Sequence, residues 1–421
     1  MIHYRHIPGI RDYEPLVGKE TVERILEKAR PLAGTPVVHI NSTAYGGGVA
    51  EILTSMSLLM NSVGLKAGWR VIQGSTDFFS VTKKMHNALQ GGKINLSERK
   101  KQIYEDTIRE NAIRNHLHHD LVIVHDPQPL PMILHYRKQG PWIWRAHIEM
   151  SSPNDGVLDY LSQFITRYDA SILTLEEYRY KLDVPQVFFY PAIDPFIVKN
   201  RALPESALDE RLKHFGIPTD LPLVVQVSRF DRWKDPAGVI RAFKLARKEV
   251  PATLVLLGNV ADDDPEGEKV YHSLLGERED RILITTRQDT ALVNALQSRA
   301  AVVLQKSIKE GFGLTVAETM WKGKPVIGGN VGGIRHQIQD GVNGFLVSTV
   351  EEAADRIVRL LKDPELRLEM GIKAKETVRN NFLMSRLLED YLDLFNSFET
   401  DYRLKKDYLS GHKHSRPVNN A

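Results

Sequence analysis

The segment KEGFGLTVAETMWKGKPVIGGNVGG, residues 309–333, decides how the rest of the chain reads. The apolar run AVVLQ before it predicts a buried strand, and KSIKEGFG predicts a loop. LTVAETMWKG predicts a helix that stops at Gly323, and KPVIGG predicts another short strand. Strand, loop, helix and strand in that order form the unit of a parallel sheet covered by helices. The start of the helix leaves backbone N–H groups near Gly313, Leu314 and Thr315. With the helix dipole, these make an anion site suited to a diphosphate. Gly311 and Gly313, on either side of Phe312, let backbone approach a ligand closely. Glu318 lies about one turn into the helix, within reach of a ribose diol beyond the phosphates. Glu310 precedes the helix and points to whatever lies on the other side. Taken alone, Glu318 reads better as a carboxylate balancing the helix dipole.

The same alternation extends in both directions. PVVHIN, WRVIQ, LVIVHD, WIWRAHIE, SILTLE and VFFYPAI are apolar runs separated by helical stretches. The pattern pauses over residues 194–222, a polar and proline-rich segment that reads as a linker. It resumes with LVVQVSR, TLVLLG, RILITTR, AVVLQ, KPVIGG and GFLV. Continuous apolar strands predict parallel sheets buried on both faces. The expected fold is therefore α/β, with two doubly wound, Rossmann-like domains facing each other across a cleft. The first is expected to span residues 1–197, joined by C-terminal helices over 385–421, and the second residues 198–384. Ligands of such sheets bind at the carboxyl ends of the strands, which is where the remaining motifs fall.

In VSRFDRWKDP, Arg229 and Lys234 follow the first strand of the second half. Two cations beside a helix start suit a leaving diphosphate, whereas Arg232 reads as surface charge. Phe230 and Trp233 have no role that the sequence explains. AYGGGVAE places Gly46, Gly47 and Gly48 between a strand and a helix. It fits G-x-G-x-x-G poorly, and the next strand, WRVIQG, lacks the acidic residue expected about 20 positions on in a dinucleotide site. These glycines fit backbone contact with a sugar or phosphate, or a tight turn. His147 in RAHIEM ends a strand and is a candidate to hydrogen-bond the substrate. Tyr45, Asp126 and Asp155 are candidates for an acceptor site.

Bulk properties narrow the class. The chain has 421 residues, 42% hydrophobic and 26% charged, with a formal charge of +3 and no cysteine. That length favours two domains. The small charge gives no reason to expect nucleic-acid or membrane-surface binding. The lack of cysteine excludes disulfides and fits an intracellular enzyme, and the wealth of Lys, Arg and Glu suits a thermophile. No signal-peptide core and no run of roughly 18 apolar residues is present, so a cytoplasmic location is expected. Asp262, Asp263 and Asp264 resemble a metal-binding run but read as a surface loop, and His412 and His414 read as solvated. No metal and no tightly bound cofactor is expected. A homodimer would be ordinary.

EGFGLTVAE with Arg229 and Lys234 resembles the retaining glycosyltransferases of family 4, which have the two-domain GT-B fold. HINSTAYGGGVAEIL, FFSVTKKMHNALQG and WIWRAHIEMSSP are similar to the trehalose-forming glycosyltransferring synthases of that family and to related trehalose phosphorylases. The resemblance implies that Glu310 and His147 contact the donor sugar and Glu318 the ribose. It implies that Arg229 and Lys234 hold the diphosphate, and that Gly46, Gly47 and Gly48 form the family's glycine loop. It implies transfer of glucose from an ADP-, UDP- or GDP-linked donor to glucose, without a protein-bound metal. It also implies that the last helix, over residues 387–398, packs on the first domain. The rivals are a phosphorylase, which would not need the ribose contact, a tandem-Rossmann dehydrogenase, and a non-catalytic sugar-nucleotide sensor.

Overall fold

The computed structural model describes residues 7–45, 47–259 and 265–399. Gly46, the run Asp262, Asp263 and Asp264, and the tail histidines His412 and His414 lie outside the described residues. The chain divides into two compact units, Met1–Ala192 with Met384–Ala421, and Ile193–Leu383.

The first unit is built on six parallel strands. They are β1 (Pro36–Asn41), β2 (Lys66–Val71), β3 (Leu121–His125), β4 (Trp142–Arg145), β5 (Ala170–Leu173) and β6 (Gln186–Phe188), in the order 2-1-3-4-5-6. β3 to β6 are buried along their whole length, as unbroken apolar runs require, while the edge strand β2 is partly exposed. The helices Thr76–Leu89, Glu98–Arg114 and Asp155–Ile165 cover one face. Trp142, Trp144, Tyr104 and Phe164 fill the space beneath them. Two of these helices start on side-chain caps. Ser75 Oγ accepts the Phe78 N–H, and Asn154 Oδ1 accepts the Val157 N–H. The last described helix, Met384–Glu399, belongs to this unit. Arg24 and Lys28 pair with its Glu389, and Lys28 also reaches Asp393 at 2.8 Å.

The second unit also has six parallel strands: β7 (Leu223–Arg229), β8 (Thr253–Asn259), β9 (Ile282–Thr286), β10 (Val302–Gln305), β11 (Val326–Gly329) and β12 (Gly344–Val347). Their order is 12-11-10-7-8-9. Helices Pro236–Ala246 and Val350–Lys362 cover one face, with Phe243, Ile357 and Leu360 in its core. Helices Glu205–His214 and Thr290–Arg299 cover the other, with Leu212, Leu292 and Leu296.

The segment read as a linker is part of this second unit. Its helix Glu205–His214 buries Leu208 and Leu212 at i, i+4 spacing. Upstream, Asn294 Nδ2 donates to the carbonyls of Val198 and Arg201 at 2.7 and 2.9 Å. Ile193 donates its N–H to the Phe382 carbonyl at 2.8 Å and bridges Leu383. The division therefore falls at residues 192/193 and 383/384 rather than 197/198 and 384/385. The polar composition of this stretch hides how few apolar residues suffice to dock one helix.

Both sheets reverse direction once. In the first unit the chain moves from β1 to the edge strand β2 and returns on the far side of β1 as β3. In the second it runs outward through β7, β8 and β9, then restarts beside β7 as β10. Each reversal opens a crevice at the carboxyl ends of the two flanking strands, where doubly wound sheets bind ligands.

Candidate active site

The crevice of the second unit lies between the loops after β7 and β10, and these loops interlock. The Lys234 ammonium pairs with Glu310 Oε2, and both side chains are mostly buried. Glu310 Oε2 also accepts from Ser307 Oγ at 3.2 Å and Gln305 Nε2 at 3.3 Å. One residue on from Gln305, Lys306 pairs with Asp235 at 2.6 Å, and the Ile308 N–H donates to the Trp233 carbonyl at 2.7 Å. Asp235 adopts a left-handed backbone (φ 46°) while capping the helix Pro236–Ala246 through the Gly238 N–H. A non-glycine residue there marks a strained turn held by its surroundings. Arg229 ends β7, about one-third exposed, 3.7 Å from Asp231.

The two aromatics without a sequence-level role now have one. Phe230 is buried, and its ring occupies the space that a Cβ on Gly258 would need. The Trp233 ring lies under the Arg232 guanidinium at 4.5 Å and the Lys309 ammonium at 5.8 Å. Arg232 is thus an exposed charge that also stacks on the loop.

The glycine turn starts the next helix. Gly313 has φ 87° and caps the helix Leu314–Trp321, whose first internal bond runs from the Val316 N–H to the Gly313 carbonyl. A Cβ on Gly313 would lie 3.2 Å from Glu310 Cγ. The second glycine turn packs against this loop. A Cβ on Gly333 would sit 2.4 Å from Phe312 Cα, and the Gly333 N–H donates to the Glu310 carbonyl. Phe312 itself turns inward onto Phe382, so what it offers the crevice is backbone. Leu314 and Thr315 open the helix with Gly311 just upstream, which keeps the predicted row of amides together.

Glu318 is more enclosed than the sequence suggests. Its side chain is 3% exposed, and Oε1 lies 2.6 Å from Lys199 Nζ. Oε2 accepts from Gln297 Nε2 at 3.3 Å. Sequence reasoning missed Lys199 and Gln297. They stand 119 and 21 residues from Glu318, and no local spacing links them.

In the first unit the crevice lies at the ends of β1 and β3. His39 on β1, His125 on the neighbouring β3 and His147 just past β4 form a chain. His39 Nδ1 lies 3.0 Å from His125 Nε2, and His125 Nδ1 lies 2.9 Å from His147 Nε2. His39 and His125 are buried; His147, two residues beyond the end of β4, is half-buried. Burial lowers all three titrations, that of His39 to about 3, and the buried Arg145 guanidinium lowers each further. That guanidinium stacks over Phe189 and Tyr391.

Asp126 sits with φ 61° at the end of β3. Its Oδ1 accepts the His147 N–H at 2.7 Å, and its carbonyl accepts from Trp144 Nε1 at 3.0 Å. Burial pushes its carboxyl up to about 7, although the His147 N–H and Arg145 pull it down. Gly47 caps the helix Gly48–Ser62 in extended conformation, and a Cβ added there would meet nothing within 4 Å. Neither packing nor φ requires a glycine there. Tyr45 is 88% exposed beside it. Asp155 is exposed in the first turn of Asp155–Ile165, where it complements the helix dipole. Gly46 lies outside the described residues.

Comparison with known proteins gives this arrangement a family. Residues 39–180 match the family model described as trehalose synthase, N-terminal domain, and residues 209–377 match glycosyl transferases group 1. The chain is 46% identical to the trehalose synthase of Pyrococcus horikoshii, over 92% of this chain and 96% of that one. It is 43% identical to the trehalose synthase of Rubrobacter xylanophilus, over 92% and 96%. A trehalose phosphorylase of Grifola frondosa is 27% identical, over 88% of this chain and 58% of its own length. Among solved structures, an alpha,alpha-trehalose 6-phosphate synthase from Burkholderia multivorans superposes with a TM-score of 0.67 at 16% identity, covering 87% of this chain and all of that one. A sucrose-phosphate synthase from Thermosynechococcus elongatus gives 0.65 at 18% identity, covering 87% and 99%. These two place the fold among the GT-B glycosyltransferases. On the full-length identities, the chain belongs to the trehalose synthase family and is a trehalose-related glycosyltransferase.

Proposed function

We propose that the protein transfers glucose from a nucleotide-diphosphoglucose to glucose with retention, forming trehalose and a nucleoside diphosphate, in a reversible reaction. One observation carries this reading. Glu310, the amides of Gly313 to Thr315, and Glu318 follow one another along a single loop and helix start. A nucleotide sugar presents hydroxyls, diphosphate and ribose in the same order. Lys234 stands against Glu310, so cation and carboxylate are adjacent, as phosphate and sugar hydroxyls are in the donor. In this reading Glu310 and His147 take donor-sugar hydroxyls, and Arg229, Lys234 and the amides take the diphosphate. Glu318, held by Lys199 and Gln297, takes the ribose. Tyr45, Asp126 and Asp155 belong to the acceptor side.

Retention requires a covalent intermediate or attack on the face the leaving group departs from. The resemblance supplies no first-unit nucleophile beneath the anomeric carbon, so same-face attack through an oxocarbenium-like state is the route proposed. The bond from the anomeric carbon to the phosphate oxygen breaks, and a bond to the acceptor oxygen forms. The acceptor hydroxyl proton passes to the departing phosphate oxygen. The protein contributes preorganised charge. Arg229, Lys234 and the helix amides stabilise the diphosphate as negative charge develops on it. None of these steps calls for a metal or resident cofactor.

A phosphorylase reading keeps the sugar site but leaves Glu318 and Lys199 without a ligand, and its relatives match at much lower identity. The test of transfer and retention is proton NMR of ADP-, UDP- or GDP-glucose incubated with glucose. The reading expects only the α,α-linked disaccharide, with one donor preferred. A β-linked product would overturn retention, and no disaccharide from any donor would overturn the substrate assignment.

A further inference from the structure

The histidine chain ends on a group that can only accept. His39 Nε2 lies 3.5 Å from Met60 Sδ, a thioether with no hydrogen to give. Each neutral imidazole has one N–H and one lone pair, so the chain can be proton-ordered in only two ways. In the first, His39 Nε2–H donates to Met60. His39 Nδ1 then accepts from His125 Nε2–H, and His125 Nδ1 accepts from His147 Nε2–H. In the reverse order every proton moves to the other nitrogen. His39 would then set a buried lone pair against the sulfur lone pairs, with no donor to satisfy it.

An unsatisfied buried acceptor of this kind disfavours the reverse order by about tenfold or more. The edge-on Tyr391 ring beside His39 (6.0 Å, 88°) supplies no hydroxyl contact to the imidazole that would compensate. An imidazolium anywhere in the chain is opposed by burial and by the Arg145 charge. The tautomers are assigned here from the donors and acceptors around the rings.

We infer that Met60, His39 and His125 are positioning residues that hold His147 as the Nε2–H tautomer, so that its Nδ1 lone pair accepts a hydrogen bond from a sugar hydroxyl. Nδ1 of His147 has no hydrogen-bond partner among the described residues. The Asp126 carboxylate, bonded to the His147 N–H, fixes the backbone from which the ring projects. The site thus selects a hydroxyl that can donate at that point and disfavours a deoxy, fluoro or methoxy sugar there. The sugar contact rests on the proposed function; the tautomer does not.

The experiment is long-range proton–nitrogen NMR of the full chain labelled with ¹⁵N-histidine, with resonances assigned through His147→Asn and His125→Gln. Protonated Nε2 and bare Nδ1 on all three rings between pH 6 and 8 is the expected result. Protonated Nδ1 on His147 overturns the proposal. Met60→Leu keeps the volume and removes the acceptor, so the two orders become nearly equal. The bare-Nδ1 signal of His147 then drops to about half, and kcat/KM falls about twofold while the melting temperature holds. An unchanged His147 spectrum in Met60→Leu overturns the role of Met60. Unchanged kcat/KM in His147→Phe would instead overturn the sugar contact and leave the tautomer assignment intact, so the two failures are distinguishable.

Discussion

Replacing Lys199 with Met removes the cation 2.6 Å from Glu318 and keeps most of the aliphatic volume. The carboxylate left behind is 3% exposed, with one bond from Gln297 at 3.3 Å. Removing one partner of a buried pair costs about 3–5 kcal/mol, because the other charge stays uncompensated. Lys199 is 17% exposed, so water reaches its end of the pair, and the lower figure applies. The Gln297 bond offsets about 1 kcal/mol at most. A loss of about 2 kcal/mol follows, which lowers the melting transition of a unit this size by about 4–8 °C. Glu318→Gln leaves the better-solvated lysine and costs about 1–2 kcal/mol. The double variant replaces the pair by two neutral groups and recovers about 2 kcal/mol of the summed losses. Calorimetry of the four proteins gives the cycle, and donor KM should rise in Lys199→Met because Glu318 loses its orientation. A loss below about 1 kcal/mol with no recovery in the double variant would refute the reasoning.

Further outcomes follow from the same geometry. Arg229→Ala should lower turnover by about 10²–10³, the effect of losing one preorganised donor, and a loss under about tenfold with unchanged donor affinity would remove it from the diphosphate site. Gly47→Ala meets nothing within 4 Å and has an ordinary φ, so its stability should stay within about 0.5 kcal/mol; any fall in kcat/KM then measures ligand contact with that backbone. Gly313→Ala, at φ 87° and against Glu310, should lose about 1–3 kcal/mol by thermal melting and weaken donor binding as well. Asp126 has a folded-state titration near 7, above its unfolded value near 4, so the folded chain holds the extra proton between these values. Stability from this group is therefore lost as pH rises from about 4 to 7, and Asp126→Asn should flatten that decline in denaturation curves taken across the range.

The elements legible in the sequence were those whose signal is local. PVVHIN and LVVQVSR coincide with β1 and β7, because their largely apolar residues suit strands covered on both faces. The helix after EGFG was legible from its glycine start and stop, and Arg229, Lys234 and Glu310 stand where two strand ends meet. What the sequence hid depends on packing between distant segments. Lys199 reaches Glu318 from a stretch whose polarity and prolines read as a linker. His39 and His125 lie in the separate apolar runs PVVHIN and LVIVHD, and only the pairing of β1, β3 and β4 aligns them with His147. Phe312 is a donor-site candidate by its position between two glycines, and only the folded chain shows that its ring packs on Phe382.

In the proposed reaction a nucleoside diphosphate, rather than phosphate, is the partner of the glucosyl group. Trehalose is incubated with the protein and either ADP or inorganic phosphate, and the products are read by proton NMR. Nucleotide-glucose and free glucose are expected with ADP, and no reaction with phosphate. Glucose 1-phosphate formed with phosphate alone would contradict the proposed reaction and leave Glu318 and Lys199 without the ribose they are proposed to serve.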